Sequence, residues 1–593
     1  MLNRREFLGA GIGAALVSGA PTGSFLLSVL VDFVDDAESG VYTPRRVDTM
    51  MRLFREMGIR RVYWIHYGDE SVEGFWRPYG SPGEQNRLHT IHALGQPIRV
   101  AVEAARRHAL EIYGYFKPYE TGISMIFPEG SPEALQYGKL PHLGASLPCL
   151  MRLVREHPEW RIQRRRDDLP PDVARIPVCE IRLYGRTAAA TRISKTNLQI
   201  WTSERNYRYQ RKPAEFSFSS AVEPAPHDFV DLEGKRLAVR GDPVRVLKLA
   251  GLHLTDRHIL LTTDFDQGAS DFELSAVDML QAFGPDGRRI AISVGAGGAV
   301  YGSSSVWCRD KLDFRNWGIE FDNGFGRALV KLDLPNSTGK LGYVAFVRGR
   351  NEYLPAAPCE CYPEVQKFWL EQLRACLDAG VDGIDFRIEN HCTHTDDPFS
   401  YGFNDIVLEA YQRRYGQGSV DRELLARIRG ERYTAFLREA SRMIRARGKK
   451  MQLHLNVEFL RPDPRPSRYL AYPWNVEFDW RGWLREGLAD EATLRTFQYT
   501  PEFVLNDGFS QEIIAECQRR SIPLHYNRYV GVPGRPASAF VADLERIRRD
   551  GRFRGFIVYE SANFLVPDGG DGLLPKYGIY EGVRDKAKEL GLS

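Results

Sequence analysis

Apolar runs of strand length alternate with amphipathic runs of helical spacing along most of this chain. The strand-like runs cover residues 25–33, 61–67, 110–116, 382–391, 450–459, 489–497, 522–529 and 555–559. The helical runs cover residues 49–57, 97–108, 365–380, 432–447, 510–520, 537–549 and 578–590. Single strands alternating with helices predict an α/β protein with a parallel sheet, and eight such units predict a closed (β/α)8 TIM barrel. A doubly wound open sheet is the alternative, but no glycine-rich phosphate turn follows the first strand.

Between the third and fourth strands the rhythm changes to short alternating runs separated by Gly, Asp, Asn and Pro. The change spans residues 181–347. Regular short strands with turn residues between them predict an all-β sandwich domain, inserted into the third βα loop of the barrel. The predicted segments are an export signal at 1–20, a first barrel part at 21–175, the inserted β-sandwich domain at 176–350 and a second barrel part at 351–593.

The first residues have the pattern of an export signal. Arg4 and Arg5 precede Phe7 and Leu8, an apolar run follows, and small residues end the segment at Ala20. This pattern resembles a bacterial twin-arginine signal with cleavage after Ala20, and the alternative is an ordinary basic amphipathic start. The apolar run is too short for a permanent transmembrane helix. We therefore expect a periplasmic or secreted protein that leaves the membrane once the signal is cleaved.

Charge and cysteine usage argue against two classes of protein. The chain has 80 basic and 77 acidic residues and a net charge of +3, which disfavours a dedicated nucleic-acid-binding protein. Its eight cysteines include no C-x-x-C pair of the kind that zinc sites use. The nearest approach to such a pair is Cys359-Glu-Cys361, which stands isolated in the sequence. We expect neither a nucleic-acid partner nor a bound cofactor.

The fourth predicted strand carries ionisable side chains on one face and apolar side chains on the other. With a period of two, the polar face consists of Asp385, Arg387, Glu389 and His391. Burying such groups is costly unless they pair with each other or with a ligand. Barrel enzymes place their active sites at the carboxyl ends of the strands. The pattern therefore predicts an active-site strand.

The fifth predicted strand repeats this alternation, with Gln452, His454, Asn456 and Glu458 on one face. Barrel interiors are normally filled by branched apolar side chains, so two neighbouring polar faces are unusual. They indicate a binding site near the carboxyl ends of the strands. A structural network of salt bridges is the alternative.

Polar and aromatic residues at the other strand ends complete the predicted cleft. Together with those above, the expected substrate contacts are Asp385, Arg387, His391, His454, Asn456, Asp32, His66, Tyr115, Lys117, Asn527, Arg528 and Tyr559. Carboxylates, amides, cations and aromatic rings in this mixture suit a polyhydroxylated ligand. We therefore expect a carbohydrate as the binding partner.

Hydrolysis of a glycosidic bond requires two carboxyl groups that flank the bond. Asp385 and Glu389 lie about 13 Å apart along one extended strand, which is too far for a pair that meets over one bond. The preferred pair is Glu389 with Glu458, and Glu560 or Asp490 are the substitutes. The sequence does not assign which member is the acid.

Four motifs in the second half of the chain fit a known family. They are Gly380-Val-Asp-Gly-Ile-Asp385, Tyr401-Gly-Phe-Asn-Asp405, Tyr411-Gln-Arg-Arg-Tyr-Gly416 and Trp480-Arg-Gly-Trp-Leu-Arg-Glu-Gly-Leu-Ala-Asp-Glu491. With them, the chain resembles the family-10-like glycosyl hydrolases over roughly residues 362–563. The resemblance implies a (β/α)8 fold and hydrolysis of a poly- or oligosaccharide. The large insert and the stretch 387–391 depart from that group.

Two other functions remain open on the sequence. A non-catalytic barrel could use the same polar strand ends only to recognise sugar. A metal-dependent barrel enzyme is the third possibility, and its ligands would come from Asp385, Glu389, His391, His394 and His454.

Overall fold

The structure, a computed structural model, describes most of the barrel and part of the inserted region. The described residues are 25–66, 82–123, 149–150, 153, 157–170, 173–203, 210–213, 215–230, 235–263, 277–295, 314–315, 318–322, 327–330, 343–349, 353–390, 392–393, 398–462, 464, 472–497, 499–530 and 535–592. The predicted export signal at 1–20 lies outside them. Within these ranges, no helix is both long and apolar enough to cross a membrane.

Eight parallel strands close into a barrel, which confirms the predicted (β/α)8 architecture. The strands are β1 (Leu26–Val31), β2 (Arg61–His66), β3 (Glu111–Phe116), β4 (Gly383–Phe386), β5 (Lys450–Asn456), β6 (Glu491–Thr496), β7 (Leu524–Tyr529) and β8 (Gly555–Tyr559). Closure comes from the pairing of β8 with β1, in which Leu26 lies opposite Gly555. All eight carboxyl ends therefore meet at one end of the barrel.

Helices follow the strands and cover the outside of the barrel. They are α1 (Phe33–Asp36), α2 (Pro44–Glu56), α3 (Pro82–Leu94), α4 (Pro97–Arg107), α5 (Pro363–Ala379), α6 (Asp405–Tyr415), α7 (Arg422–Ala446), α8 (Trp480–Arg485), α9 (Pro501–Asn506), α10 (Gly508–Arg519), α11 (Ala537–Asp550) and α12 (Ile579–Glu589). α5 ends at Gly380, whose φ of 95° is in the left-handed region that glycine tolerates best.

Two helices begin earlier than their apolar periodicity predicts, because a capping residue sets the start. α2 begins at Pro44 rather than at residue 49, after Thr43 accepts a hydrogen bond from the backbone N–H of Arg46. α7 begins at Arg422 rather than at residue 432, because Asp421 accepts from two backbone N–H groups in the first turn. The first turns do carry buried apolar residues, Val47 in α2 and Leu425 in α7, so the start of each helix is marked by its cap rather than by a change in hydrophobic pattern.

The region between β3 and β4 forms two five-stranded antiparallel sheets. The first contains Ser217–Pro224, Pro243–Leu254, Val178–Tyr184, Leu280–Phe283 and Arg289–Ile290, in that order. The second contains Ile292–Gly295, Tyr343–Arg348, His258–Thr263, Leu198–Ser203 and Gln210–Arg211. Strands are thus present where alternation predicts them. The arrangement as a sandwich domain and its boundaries at 176 and 350 stay predictions.

Smaller sheets complete the described strands. They are Phe314–Arg315 with Gly318–Asp322 and Arg327–Val330, Phe229–Val230 with Arg236–Ala238, Arg161–Gln163 with Tyr353–Pro358, Leu565–Pro567 with Leu573–Pro575, and Gly122–Ile123 with Cys149–Leu150. The pair Arg161–Gln163 and Tyr353–Pro358 joins the two points at which the chain leaves and re-enters the barrel region.

A buried polar network fills the amino-terminal end of the barrel. Glu491, the first residue of β6, accepts from Arg61 Nη2 at 3.3 Å, lies 3.1 Å from His525 Nε2 and accepts from Lys450 Nζ at 3.0 Å. Asp490, predicted as a substitute catalytic residue, directly precedes β6 and therefore lies at the amino-terminal end of the barrel, away from the carboxyl ends of the strands. β6 begins at Glu491 and ends at Thr496, and all six of its residues are buried.

This network makes part of the folding stability dependent on pH. Burial alone would raise the pKa of Glu491, but the hydrogen bond with His525 and the charge of Arg61 outweigh it and hold that pKa far below its usual range. A depressed pKa in the folded state contributes stability above the unfolded-state pKa of about 4.3, and this contribution is lost as the pH falls below it.

We expect Glu491→Gln to destabilise the protein at pH 7 by about 3 kcal/mol, because it removes the buried counter-charge of Arg61 and leaves only the half-exposed Glu111 as its carboxylate partner. The difference from wild type should shrink by about 1.4 kcal/mol for each pH unit below about 4.3. Urea unfolding of both proteins at pH 7 and pH 3 measures this difference in the free energy of unfolding. An equal difference at the two pH values would contradict this role for Glu491.

Candidate active site

The candidate site lies at the carboxyl ends of the barrel strands, where side chains from β4, β5, β6 and β8 meet. Asn456 of β5, Arg495 of β6 and Asn527 of β7 are register partners. Register partners on parallel strands project to the same face of the sheet. The chain extends β4 by Arg387 and Glu389, which bring a cation and a carboxylate to the same place.

Glu389 is buried and held by three side chains. Its Oε1 accepts a hydrogen bond from Asn456 Nδ2 at 2.8 Å and lies 2.7 Å from Arg495 Nε. Its Oε2 lies 3.5 Å from Arg387 Nε. Only 1% of Glu389 is exposed. Two guanidinium groups therefore face one carboxylate.

The two arginines also fix the aromatic rings around Glu389. Arg387 Nη1 donates to the hydroxyl of Tyr559 at 3.0 Å and to that of Tyr115. The guanidinium carbons of Arg387 and Arg495 lie 5.1 and 4.4 Å from the centre of the Tyr559 ring. Arg495 Nη1 donates to Asn527 Oδ1 at 3.1 Å. The predicted contacts Arg387, Asn456, Tyr115, Asn527 and Tyr559 are thus brought together with Glu389.

A second, mainly acidic cluster comes from the ends of β1, β3 and β8. Lys117 Nζ lies 3.1 Å from Asp32 Oδ2 and 3.0 Å from Glu120 Oε1, and all three are buried. Carboxylate oxygens of Asp32, Asp35 and Glu560 lie within 4.8 Å of one another. One ammonium group therefore stands among four carboxyl groups.

Glu560 differs from Glu389 in its electrostatic surroundings. Burial, together with the neighbouring charges of Asp35 and Asp32, raises the pKa of Glu560 well above its usual value, and Lys117 offsets this only in part. Glu560 directly follows Tyr559 in the chain. Its neighbour Ser561 donates to both carboxylate oxygens of Asp36, at 2.9 and 2.8 Å, which anchors the end of β8 to α1.

Glu458 lies just beyond β5 and has fixed hydrogen-bond donors. Its Oε1 accepts from Thr496 Oγ1 at 2.8 Å and from the backbone N–H of Phe497 at 2.7 Å. Its own N–H donates to Asn456 Oδ1 at 2.7 Å. Asn456 therefore bridges Glu389 and Glu458, and both carboxylates belong to the same end of the barrel.

Asp385 and His454 form a separate pair in the barrel interior. His454 Nε2 lies 2.6 Å from Asp385 Oδ2, and neither side chain is exposed to solvent. Burial raises the pKa of Asp385, whereas burial and the nearby Arg495 and Arg387 lower the pKa of His454. Both shifts favour uncharged side chains. The two residues face each other beneath Arg387 and Glu389, and their contact with substrate stays a prediction.

Two further predicted residues lie away from the site. Asp490 is at the opposite end of the barrel, where its carboxylate accepts from Arg445 and from the backbone N–H of Met451. Arg528 points outwards to Asp543 of α11 at 2.9 Å, because alternation along β7 turns Asn527 inwards and Arg528 outwards. The predictions that Asp490 is catalytic and that Arg528 contacts substrate are therefore wrong, because neither side chain reaches the site.

The remaining predicted residues are placed as follows. His66 ends β2 and is buried at the barrel end. His391 and His394 lie outside the described residues. The sequence analysis did not identify Arg495, which contacts Glu389, or Glu120, which contacts Lys117. The alternation Glu491, Thr493, Arg495 in β6 was the available signal for Arg495.

Two groups of side chains in the described part of the chain have the spacing of metal ligands. They are Asp32, Asp35 and Glu560, and Cys359, Glu360 and Cys361. Carboxylate oxygens suit hard cations such as Ca²⁺ or Mg²⁺. The first group already has Lys117 beside Asp32 and Arg87 3.6 Å from Asp35, so positive charge is supplied by the protein itself. The described members of the predicted metal set, Asp385, Glu389 and His454, do not form such a group.

Comparisons with known proteins return no family model and no curated protein that matches the sequence. Among solved structures, the catalytic domain of a β-amylase from Paenibacillus polymyxa is 6% identical with a TM-score of 0.37, over 95% of this chain and 98% of that chain.

Two further solved structures cover only part of this chain. The glycoside hydrolase domain of PelA from Pseudomonas aeruginosa is 13% identical with a TM-score of 0.20, over 39% of this chain and 69% of that one. A curdlan-specific exo-β-1,3-glucanase of family GH128 from Blastomyces gilchristii is 13% identical with a TM-score of 0.22, over 37% and 78%. These TM-scores are too low to support an argument about fold or activity. The evidence for the barrel is the strand order of this chain itself.

Proposed function

We propose that this protein is a glycoside hydrolase in which Glu560 is the general acid and Glu389 the base or nucleophile. The observation that carries the proposal is the contrast between two buried carboxyl groups at one end of the barrel. Two guanidinium groups face Glu389, whereas burial and two other carboxylates raise the pKa of Glu560. Environments that separate two carboxyl groups in this way divide the roles of acid and base between them.

The chemistry follows from the roles proposed for these two carboxyl groups. Glu560 gives its proton to the glycosidic oxygen while the bond between that oxygen and the anomeric carbon breaks. Glu389, as the carboxylate, either attacks the anomeric carbon or takes a proton from the attacking water. Arg387, Arg495 and Asn456 hold Glu389 in one orientation. Glu458 is the substitute partner, because Asn456 connects it to Glu389.

The substrate and location are part of the same proposal. The resemblance to family-10-like glycosyl hydrolases and the mixture of carboxylates, amides, cations and aromatic rings support a poly- or oligosaccharide. The twin-arginine pattern at Arg4 and Arg5 supports export to the periplasm or medium. A mature protein that begins at Pro21 in the extracytoplasmic fraction is the expected outcome of N-terminal sequencing.

We expect Glu560→Gln to lower kcat/KM on unactivated oligosaccharides by roughly 10²–10⁴-fold, because the amide has no proton to give to the leaving oxygen. Wild-type activity should fall as the pH rises through the pKa of Glu560, and the variant should lose this alkaline limb. Aryl glycosides with acidic leaving groups should be affected much less, since they depart without a proton. Full activity of Glu560→Gln on unactivated substrates would assign the acid elsewhere.

A second candidate function, a metal-dependent enzyme acting on sugars, is favoured by the close approach of Asp32, Asp35 and Glu560. In that case the three carboxylates would bind a hard divalent cation, and Glu560 would be ionised. Elemental analysis of the purified protein separates the two functions. A stoichiometric divalent metal whose removal by EDTA abolishes activity would favour this candidate over the acid role of Glu560.

A further inference from the structure

Two cysteines lie side by side where the chain returns from the inserted region to the barrel. Cys359 and Cys361 stand between the strand Tyr353–Pro358 and α5. The backbone N–H of Tyr362 donates to the carbonyl of Cys359 at 3.3 Å, so the segment from Cys359 to Tyr362 is a turn. The two Sγ atoms lie within 4.8 Å of each other. Both residues are buried, Cys359 fully and Cys361 with 6% exposed.

The backbone separation of these cysteines fits a disulfide. Residues two apart cannot be separated by more than about 7 Å between Cα atoms, and a turn shortens that distance. Disulfides require a Cα separation of about 4.4–6.8 Å. The remaining described cysteines with free thiols are Cys179 on a strand of the inserted region, Cys376 on α5, Cys517 on α10 and Cys392 in the loop after β4.

The residue between the two cysteines argues against a metal at this place. Both carboxylate oxygens of Glu360 are engaged, Oε1 by Arg429 Nε at 2.6 Å and Oε2 by Arg429 Nη2 at 3.0 Å and by the hydroxyl of Tyr119 at 3.1 Å. The positive charge of Arg429 beside Glu360 would repel a cation bound by Cys359, Glu360 and Cys361. Cys361 Sγ itself donates to Glu360 Oε1 at 3.7 Å, which holds this thiol beside that of Cys359.

We propose that Cys359 and Cys361 are the site of a reversible intrachain disulfide. The more exposed Cys361 attacks a disulfide oxidant such as glutathione disulfide and releases one glutathione thiol. Cys359 then displaces the second glutathione and closes the Cys359–Cys361 bond. The two protein thiols lose two protons and two electrons, and the oxidant is reduced to two thiols.

The closed bond would form a covalent loop around the buried Glu360. Its side chain fixes α7 through Arg429 and the segment after β3 through Tyr119, which directly precedes Glu120. Because only one residue lies between the cysteines, the bond constrains the unfolded chain very little and adds little stability. We therefore expect a readily reduced bond rather than a structural clamp. An oxidising compartment outside the cytoplasm favours its formation.

Mass analysis of one peptide tests the proposal independently of any enzymatic activity. The native full-length protein is equilibrated with glutathione disulfide, denatured, alkylated and digested with trypsin, which releases residues 351–367 with both cysteines and no other. We expect this peptide to be lighter by two hydrogens and to carry no alkyl group. Dithiothreitol before alkylation should restore two alkylated cysteines.

Two serine variants provide the matched controls. Cys361→Ser should abolish the loss of two hydrogens, whereas Cys517→Ser, which changes a buried cysteine in α10, should leave it unchanged. Two alkylated cysteines after oxidation of wild type, a retained glutathione adduct, or a bond from either residue to another cysteine would overturn the proposal. A failure of the glycosidase proposal leaves all these masses unaffected.

Discussion

Glu389→Gln is expected to abolish hydrolysis, with a loss in kcat of at least roughly 10⁴-fold, the scale seen when a central catalytic group is removed. Gln has nearly the same shape, but its amide neither attacks the anomeric carbon nor accepts a proton from water. The measurement is the initial rate on aryl glycosides and oligosaccharides, compared with wild type. Sugar affinity is measured in parallel, because the non-catalytic binding barrel predicts unchanged affinity and no activity in either protein.

The same substitution also removes the negative charge between Arg387 and Arg495. Breaking a buried ion pair by changing one partner costs about 3–5 kcal/mol, so the stability of Glu389→Gln has to be measured by urea unfolding alongside its activity. Glu458→Gln is the matched control, since Glu458 is half-buried and hydrogen-bonded to Thr496 rather than faced by two arginines. A folded Glu389→Gln with wild-type rates would exclude Glu389, and a larger loss in Glu458→Gln would move the role to Glu458.

Arg429→Ala is expected to have the largest effect on stability alone, a loss of about 3–5 kcal/mol. Neither Arg429 nor its partner Glu360 is exposed to solvent, and the alanine leaves the Glu360 carboxylate buried with the Tyr119 hydroxyl and the weakly donating Cys361 thiol as its side-chain donors. An unpaired buried charge is far costlier than the ion pair itself. Urea unfolding followed by circular dichroism gives the difference in free energy of unfolding.

A matched control for Arg429 lies on the same helix. Arg438 of α7 makes a two-bond ion pair with Glu486, both at 2.7 Å, but 48% of its side chain is exposed. Arg438→Ala should cost no more than about 1 kcal/mol, because exposed pairs are screened by water. The double variant Arg429→Met with Glu360→Leu should be less destabilised than the sum of its single variants. Equal losses for Arg429→Ala and Arg438→Ala would show that burial does not govern the pair at Glu360.

The alternation of polar and apolar residues was a sound guide to faces but not to the ends of strands. On β4 and β5 it placed Glu389 and Asn456 on the same inward side, where the structure has them in contact. On the sixth strand Asp490 stands at the start, so it lies at the amino-terminal end of the barrel although it was predicted as a catalytic residue. On β7 the face of Arg528 was misjudged by one residue, and a shift of one residue reverses the side to which a strand side chain points.

The sequence alone determined the barrel, because the periodicities of helix and strand are properties of short local segments. It also determined that polar side chains line β4 and β5. Only the tertiary structure decided which charges face each other. Asn456 meets Glu389 across 67 residues because β4 pairs with β5. Asp36 meets Ser561 across 525 residues because β8 closes on β1. The contrast between Glu389 and Glu560 depends on how close the neighbouring charges lie in space and on burial. The strength of a charge interaction depends on separation and on the exclusion of water.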